Sequence, residues 1–204
     1  MPAAITEEEA KERRERILQA ARWCFLNFGF SKTSFEDIAK RANISRTLLY
    51  KVFKDKEDVF TAVFAEWLVS RHPAAKKAAA ASGSAYDRLL AVCRLMVLEP
   101  WRDLATSPMG GEFFDVCAKI DPEIDARHRK VALECVTKVL GEKDRAEVFL
   151  LSLDGLLGDE PTAKVLERRL EILAKTFIQT PKAESRSKTS NGTSERRQSK
   201  LGGN

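Results

Sequence analysis

From Thr6 to Phe177 apolar residues return every three or four positions, and short breaks divide that run into helix-sized pieces. A side chain regains its direction after three or four residues only on a helix, so the pattern commits nearly the whole stretch to an all-α fold. The first piece shows the logic. Ile17, Ala21, Cys24, Phe25 and Phe28 share one face. Thr6 reads as the N-cap, Glu7, Glu8 and Glu9 suit the positive end of the helix dipole, and Gly29 is placed to close the helix as a left-handed C-cap. Arg13, Arg14, Arg16 and Arg22 fall off the apolar face, where solvent or phosphate can reach them.

The next pieces are too short to be stable alone. Ser34 with Asp37 three residues later forms a capping-box pattern, and the helix it opens turns Phe35, Ile38, Ala39 and Ala42 inward. Asn43 follows at a turn position, and Asn is one of the few residues besides Gly that accepts a positive φ. Ser45 caps a second short helix with Leu49, Val52 and Phe53 inward. Two short helices joined by a tight turn and resting on a third make a helix-turn-helix, whose second helix offers its N-terminal side chains to base edges in a major groove. Here those are Arg46, Thr47 and Lys51, with Tyr50 able to donate to phosphate and Lys56, at the start of the following helix, able to pair with it. Thr33, Ser34 and Ser45, at the two helix starts beside that surface, are further candidate DNA contacts.

The run Phe35-Glu36-Asp37-Ile38-Ala39-Lys40-Arg41-Ala42-Asn43-Ile44-Ser45-Arg46-Thr47-Leu48-Leu49-Tyr50-Lys51-Val52-Phe53-Lys54-Asp55-Lys56-Glu57 resembles the DNA-binding signature of TetR (tetracycline-repressor) family regulators. Ile17, Ala20-Ala21, Phe25 and Gly29 agree with it, and the resemblance extends from about Arg13 to Phe64. It implies an N-terminal three-helix helix-turn-helix domain, a C-terminal helical domain for ligand binding and dimerisation, double-stranded operator DNA as partner and a small-molecule effector. Repression is the mode it implies. Three positions depart from the family's frequent pattern: Asn43 stands where Gly is common in the turn, Thr47-Leu48 where Gly-Thr is common, and Val52 where His often precedes the Phe. Leu48 can pack against a thymine methyl instead of holding phosphate.

Farther on, helices are expected through Phe60, Val63, Phe64, Trp67 and Leu68 to a stop at Pro73, over Tyr86–Glu99 to a stop at Pro100, over Phe113–Ile120, from Asp121-Pro122 to Leu140 with Gly141 after it, over Asp144–Leu157, and over Pro161–Phe177. The stretch Ala74–Ser84 reads as weakly structured or as a helix extension, and Trp101–Gly111 as the least regular part. Met96, Trp101, Phe113, Phe114, Cys117 and Cys135 gather near helix ends and irregular turns, where a bundle can open a pocket, and are the candidate ligand contacts. The last two helices are apolar around most of their circumference. One side can meet the chain's own core and the excess calls for a second copy, with Phe149, Ser152, Leu153, Leu156, Leu166, Leu170, Leu173 and Phe177 as candidate dimer contacts. The expected organisation is a helix-turn-helix domain over 1–55, a helical ligand and dimerisation domain over 56–180, and a disordered basic tail over 181–204.

Charge agrees with a head that meets nucleic acid. Residues 1–54 hold eleven Lys/Arg against seven Asp/Glu, whereas residues 55–180 are acidic by three charges. The polar, acidic start is neither a signal nor a transit peptide, and no apolar run reaches membrane-spanning length, so a cytoplasmic protein is expected. Cys24, Cys93, Cys117 and Cys135 lack CxxC spacing, and with only His72 and His128 beside them no local metal motif arises. No phosphate loop, nucleophile elbow, HExxH or EF-hand pattern is present, which speaks against catalysis and against a cofactor. Two other readings remain open: a regulator driven by cysteine oxidation, and a ligand-binding helical protein without DNA readout.

Overall fold

The computed structural model describes residues 6–120 and 122–179; the side chains of Phe114, Ala118 and Ile120 fall outside the description, as does the segment expected as a basic tail. Every described element is helical: α1 (Glu7–Phe28), α2 (Phe35–Ala42), α3 (Arg46–Val52), α4 (Lys56–Val69), α5 (His72–Ala80), α6 (Ala85–Cys93), a π-helical turn (Arg94–Leu98), α7 (Glu99–Ala105), α8 (Gly110–Ile120), α9 (Pro122–Leu140), α10 (Lys143–Leu157) and α11 (Ala163–Gln179).

The caps read from the sequence form. The Thr6 side chain accepts from the Glu9 amide while Glu9 reaches back to the Thr6 N–H, and Ser34 and Asp37 close the same box on α2. Asn43 takes the left-handed conformation, φ 54° and ψ 50°, and thereby turns the chain from α2 into α3. Gly29 has a positive φ of 86°, but its ψ of 158° is extended, so it leads the chain out of α1 instead of curling it back as an αL cap. Phe28 is exposed, edge-on to Trp23, and does not join the inner face of α1.

Side chains from these helices form two cores. The first holds Ile17, Ala21, Cys24 and Phe25 of α1, Ile38 of α2, Leu49 of α3, and Val59, Phe60, Val63, Phe64, Trp67 and Leu68 of α4. Phe113 and Cys117 of α8 and Ile124 of α9 complete it. The second joins α5, α6, the π turn and the rest of α9 with α10 and α11, around Leu89, Leu98, Phe149, Leu166 and Leu170. The boundary expected between residues 55 and 56 therefore passes through the first core, because six apolar side chains of α4 are shared with the head.

Both prolines expected to end helices begin one instead. Pro73 lies in the first turn of α5, so the stretch after it is a helix, and Pro100 lies in the first turn of α7. A proline has no N–H to give four residues back, and its ring collides with that carbonyl. The π turn immediately before Pro100 relieves this by widening the backbone, so the chain continues helically from Ala85 to Ala105. Trp101 consequently stands on a helix. Between α7 and α8, a Cβ on Gly110 would collide with the Leu104 carbonyl, so this tight turn needs glycine.

Candidate nucleic-acid surface and ligand cavity

The surface that could meet DNA is built by α2, Asn43 and α3 standing on α1. Ser45 accepts from the Leu48 amide at 3.2 Å and starts α3, while buried Leu49 roots that helix in the head core. Arg46, Thr47, Tyr50 and Lys51 are exposed, and Leu48 is half-buried. Tyr50 stacks on Phe35 of α2 with ring centroids 4.6 Å apart, and its hydroxyl accepts a hydrogen bond from Arg46 at 3.2 Å. These residues share one side of the head.

Three other expected contacts are turned to structural use. Thr33 is 2% exposed and donates its hydroxyl to the Gly29 carbonyl at 2.6 Å. The Ser34 hydroxyl is engaged with Asp37 in the cap. Lys56 points its ammonium at the Phe30 carbonyl, 2.8 Å away, and over the Phe30 ring. It thus ties α4 to the loop after α1.

Arg22 is also claimed. It reaches Asp103 of α7 at 2.8 Å, and the same carboxylate oxygen accepts from Arg71 at 2.7 Å and from the Trp67 indole at 3.1 Å. Donors from α1, from α4 and from Arg71, which lies between α4 and α5, converge on this one acid of α7. A second acid does similar work: Glu112 of α8 accepts from both the amide and the hydroxyl of Ser31. Side-chain hydrogen bonds from α1, the loop after it and α4 to helices α7 and α8 thus end on two carboxylates, Asp103 and Glu112.

A cavity of about 400 Å³ lies where the cores meet. Phe64, Trp67 and Leu68 of α4 line one side, and Met96, Trp101 and Leu153 of the body line the other. Of the six expected ligand contacts, Met96, Trp101 and Cys117 reach this space. Phe113 does not; it packs against Phe60 and edge-on to Trp67 in the head core. Cys135 is buried in the second core, and the Phe114 side chain lies outside the described residues. Sequence spacing missed the α4 residues altogether, since they look like ordinary core positions of a continuous amphipathic helix.

His128 forms part of the cavity wall. Pro100 leaves the Met96 carbonyl without its usual helical donor, and His128 Nε2 lies 3.3 Å from that oxygen. A carbonyl only accepts, so Nε2 carries the proton and Nδ1 accepts from His72 Nε2 at 3.0 Å. Burial holds His128 below its ordinary value of 6.5, aided by His72 and opposed by the Met96 carbonyl. The imidazole is neutral at pH 7. At the cavity's edge Arg129 pairs with Asp154.

All four cysteines are buried as free thiols. Burial pushes Cys93 up to about 12 and raises Cys24, Cys117 and Cys135 as well. Thiolates are the reactive form, so oxidation chemistry is not favoured here. No group of three or more metal-ligating side chains occurs among the described residues, and none of the described helices is long and apolar enough to cross a membrane.

The expected dimer contacts divide by face. Phe149, Leu153, Leu166 and Leu170 are buried in the chain's own second core; Leu156, Leu173 and Phe177 are partly buried against it, and Ser152 donates to the Val148 carbonyl. The outward side of α10 and α11 instead carries Val148, Leu151, Val165 and Ile172, with Leu151 64% and Ile172 58% exposed.

Residues 17–63 match the family model described as bacterial regulatory proteins, tetR family. The HTH-type transcriptional regulator AcrR of Shigella flexneri is 42% identical over 62 residues, which are 30% of this chain and 29% of that protein. The probable HTH-type transcriptional regulator ArpR of Pseudomonas putida is 29% identical over 177 residues, covering 75% of this chain and 82% of its own. The match to AcrR thus spans less than a third of that relative's length. Among solved structures, SmeT, the repressor of the Stenotrophomonas maltophilia multidrug efflux pump SmeDEF, superposes with a TM-score of 0.59 at 20% identity, over 81% of this chain and 88% of that one. The likeness to SmeT is one of fold. The helix-turn-helix and its turn at Asn43 thus lie within residues 17–63, the part of this chain that matches the tetR family of bacterial regulatory proteins.

Proposed function

We propose that this chain is a transcription regulator, acting as a repressor, that binds operator DNA as a dimer and is released by a small molecule held in the cavity between its two cores. The observation that carries the proposal is the α2–Asn43–α3 unit, which roots Leu49 in the core and leaves Arg46, Thr47, Tyr50 and Lys51 facing outward together. A short helix so held presents donors to base edges and cations to phosphates. Two such heads read half-sites about 34 Å apart, or a multiple of that spacing, on pseudo-palindromic DNA.

The exposed apolar side of α10 and α11 supports pairing with a second copy, with Val148, Leu151, Val165 and Ile172 at the contact. Cavity placement supports the switch. Phe64, Trp67 and Leu68 belong to both the head core and the cavity wall, so a molecule that prefers another setting of α4 changes the head separation. Its effect is limited to its difference in affinity for the two settings. The walls are largely apolar, and neutral His128 adds a polar group without a charge.

The test begins by selecting duplexes from a random pool with the full chain, then titrates the preferred duplex at 50 to 200 mM salt. Affinity is expected to fall steeply with salt. Lys51→Ala is expected to weaken all duplexes alike and to lower the salt slope by roughly one per bound subunit. Enrichment of no duplex would remove the proposal.

A further inference from the structure

We propose that Arg46 reads a guanine in each operator half-site and that Tyr50 is the positioning residue that holds its guanidinium in place for it. This rests on the DNA-binding reading above and adds which side chain selects which base, and why it can.

Arg46 is the first residue of α3, at the end of the helix that enters a groove first. Left alone, an exposed arginine samples many rotamers, and fixing it on a base costs conformational entropy. Here it is not alone. Tyr50 lies one turn later on the same helix side, and its hydroxyl accepts from an Arg46 terminal nitrogen at 3.2 Å. The guanidinium carbon stands 5.5 Å from the Tyr50 ring centroid, and Glu36 at the start of α2 adds a longer-range attraction. Tyr50 is anchored in turn: its ring stacks on Phe35, with an interplanar angle of 29°, and Phe35 is buried in the head core. A continuous chain of contacts runs from core to Phe35 to Tyr50 to Arg46.

The chemistry of that arrangement selects its target. An arginine has five N–H donors in a rigid planar fork; Tyr50 occupies one, and four remain. In the major groove only guanine presents two adjacent acceptors, O6 and N7, which a planar fork meets with two parallel hydrogen bonds. Tyr50 uses an oxygen lone pair toward Arg46, so its own hydroxyl proton stays available to a phosphate or base acceptor. The pair thus keeps its internal hydrogen bond when DNA is bound, and Tyr50 contributes to selectivity through Arg46 as well as by any contact of its own.

The experiment uses the full chain and the duplex selected from the random pool. At one G·C pair per half-site, replacing guanine by 7-deazaguanine, which lacks the N7 acceptor, is expected to weaken wild-type binding about tenfold or more. Arg46→Ala should bind the normal and 7-deaza duplexes equally, and Arg46→Lys should keep only part of the discrimination. Tyr50→Phe preserves the stacked ring and the fold, checked by circular dichroism. It is expected to lose about threefold of discrimination at that pair and none at the others. A merely structural role for Tyr50 would instead move all duplexes together. If Arg46→Ala weakens every duplex alike and flattens the salt dependence, Arg46 is a phosphate contact and the proposal is overturned. Full discrimination in Tyr50→Phe overturns the positioning role. If the wild type enriches no duplex, the regulator reading fails first and takes this inference with it.

Discussion

The head and the body are both helical and both built around a buried apolar core, yet they specify themselves by different means. In the head each short helix carries its own punctuation: Thr6, Ser34, Ser45 and Asp55 each cap a helix start, and Asn43 makes the only left-handed turn between α2 and α3. Those signals act within four residues, so local chemistry decides where α1 to α3 begin and how α2 meets α3. The body has fewer such devices. Helices α5, α7 and α10 begin without a side-chain cap bond, and the path from Ala85 to Ala105 bends through a π turn set by Pro100. Its arrangement depends on which apolar face finds which neighbour. A head built on local rules can be recognised in distant relatives, while a body built on long-range packing can change its cavity without changing the fold.

The sharpest test of this contrast concerns Phe113, which the body's sequence contributes and the head's core uses. Phe113→Ala is expected to destabilise the chain by about 3–5 kcal/mol in urea unfolding, as for a fully buried aromatic. A loss under about 1 kcal/mol would mean that the ring lines open space. Next in size is the outward face of α10 and α11. Leu151→Arg, with Ile172→Arg as an independent variant, should raise the dimer dissociation constant about tenfold or more in sedimentation, with the monomer still folded. Unchanged association would place the second copy elsewhere. Within the head, Asn43→Ala should cost about 1–2 kcal/mol, because alanine resists the left-handed conformation, while Asn43→Gly should cost less. Equal losses would show that the Asn side chain matters more than its backbone.

The smallest effect is a pH dependence. His128 is held below 6.5 in the fold, chiefly by burial, so below that pH the unfolded chain binds a proton that the native chain refuses. Stability contributed by the neutral imidazole is complete above about pH 6.5 and declines as pH falls. His72, also lowered by burial, acts in the same direction. The melting temperature should drop on the order of a few degrees between pH 7.5 and 5.5, and His128→Gln, which can still donate to the Met96 carbonyl, should flatten part of that drop. An identical slope in the variant would assign the dependence to other groups.

How much was legible varies with the reach of the interaction. That Arg46, Thr47, Tyr50 and Lys51 share the exposed side of α3 was legible from spacing, because a helix-turn-helix converts position in the chain directly into position on a surface. Thr33 and Lys56 look identical in type to residues that touch phosphate, but their bonds to the Gly29 and Phe30 carbonyls depend on where the loop after α1 comes to rest. On α10 the residues outside the core, Val148 and Leu151, are three apart and could be separated from Phe149 and Leu153 only once α9 and α11 had fixed the buried side.

Amino-acid order alone makes the described residues all helical, caps α3 at Ser45 and turns the chain into it at Asn43, because caps, turns and 3.6-residue periodicity act between near neighbours. Only the packed structure decides that α4 is shared between head core and cavity wall, and that Asp103 collects Arg22, Arg71 and Trp67. Residues 81 and 32 positions apart meet on one oxygen there, and no local pattern encodes so distant a meeting.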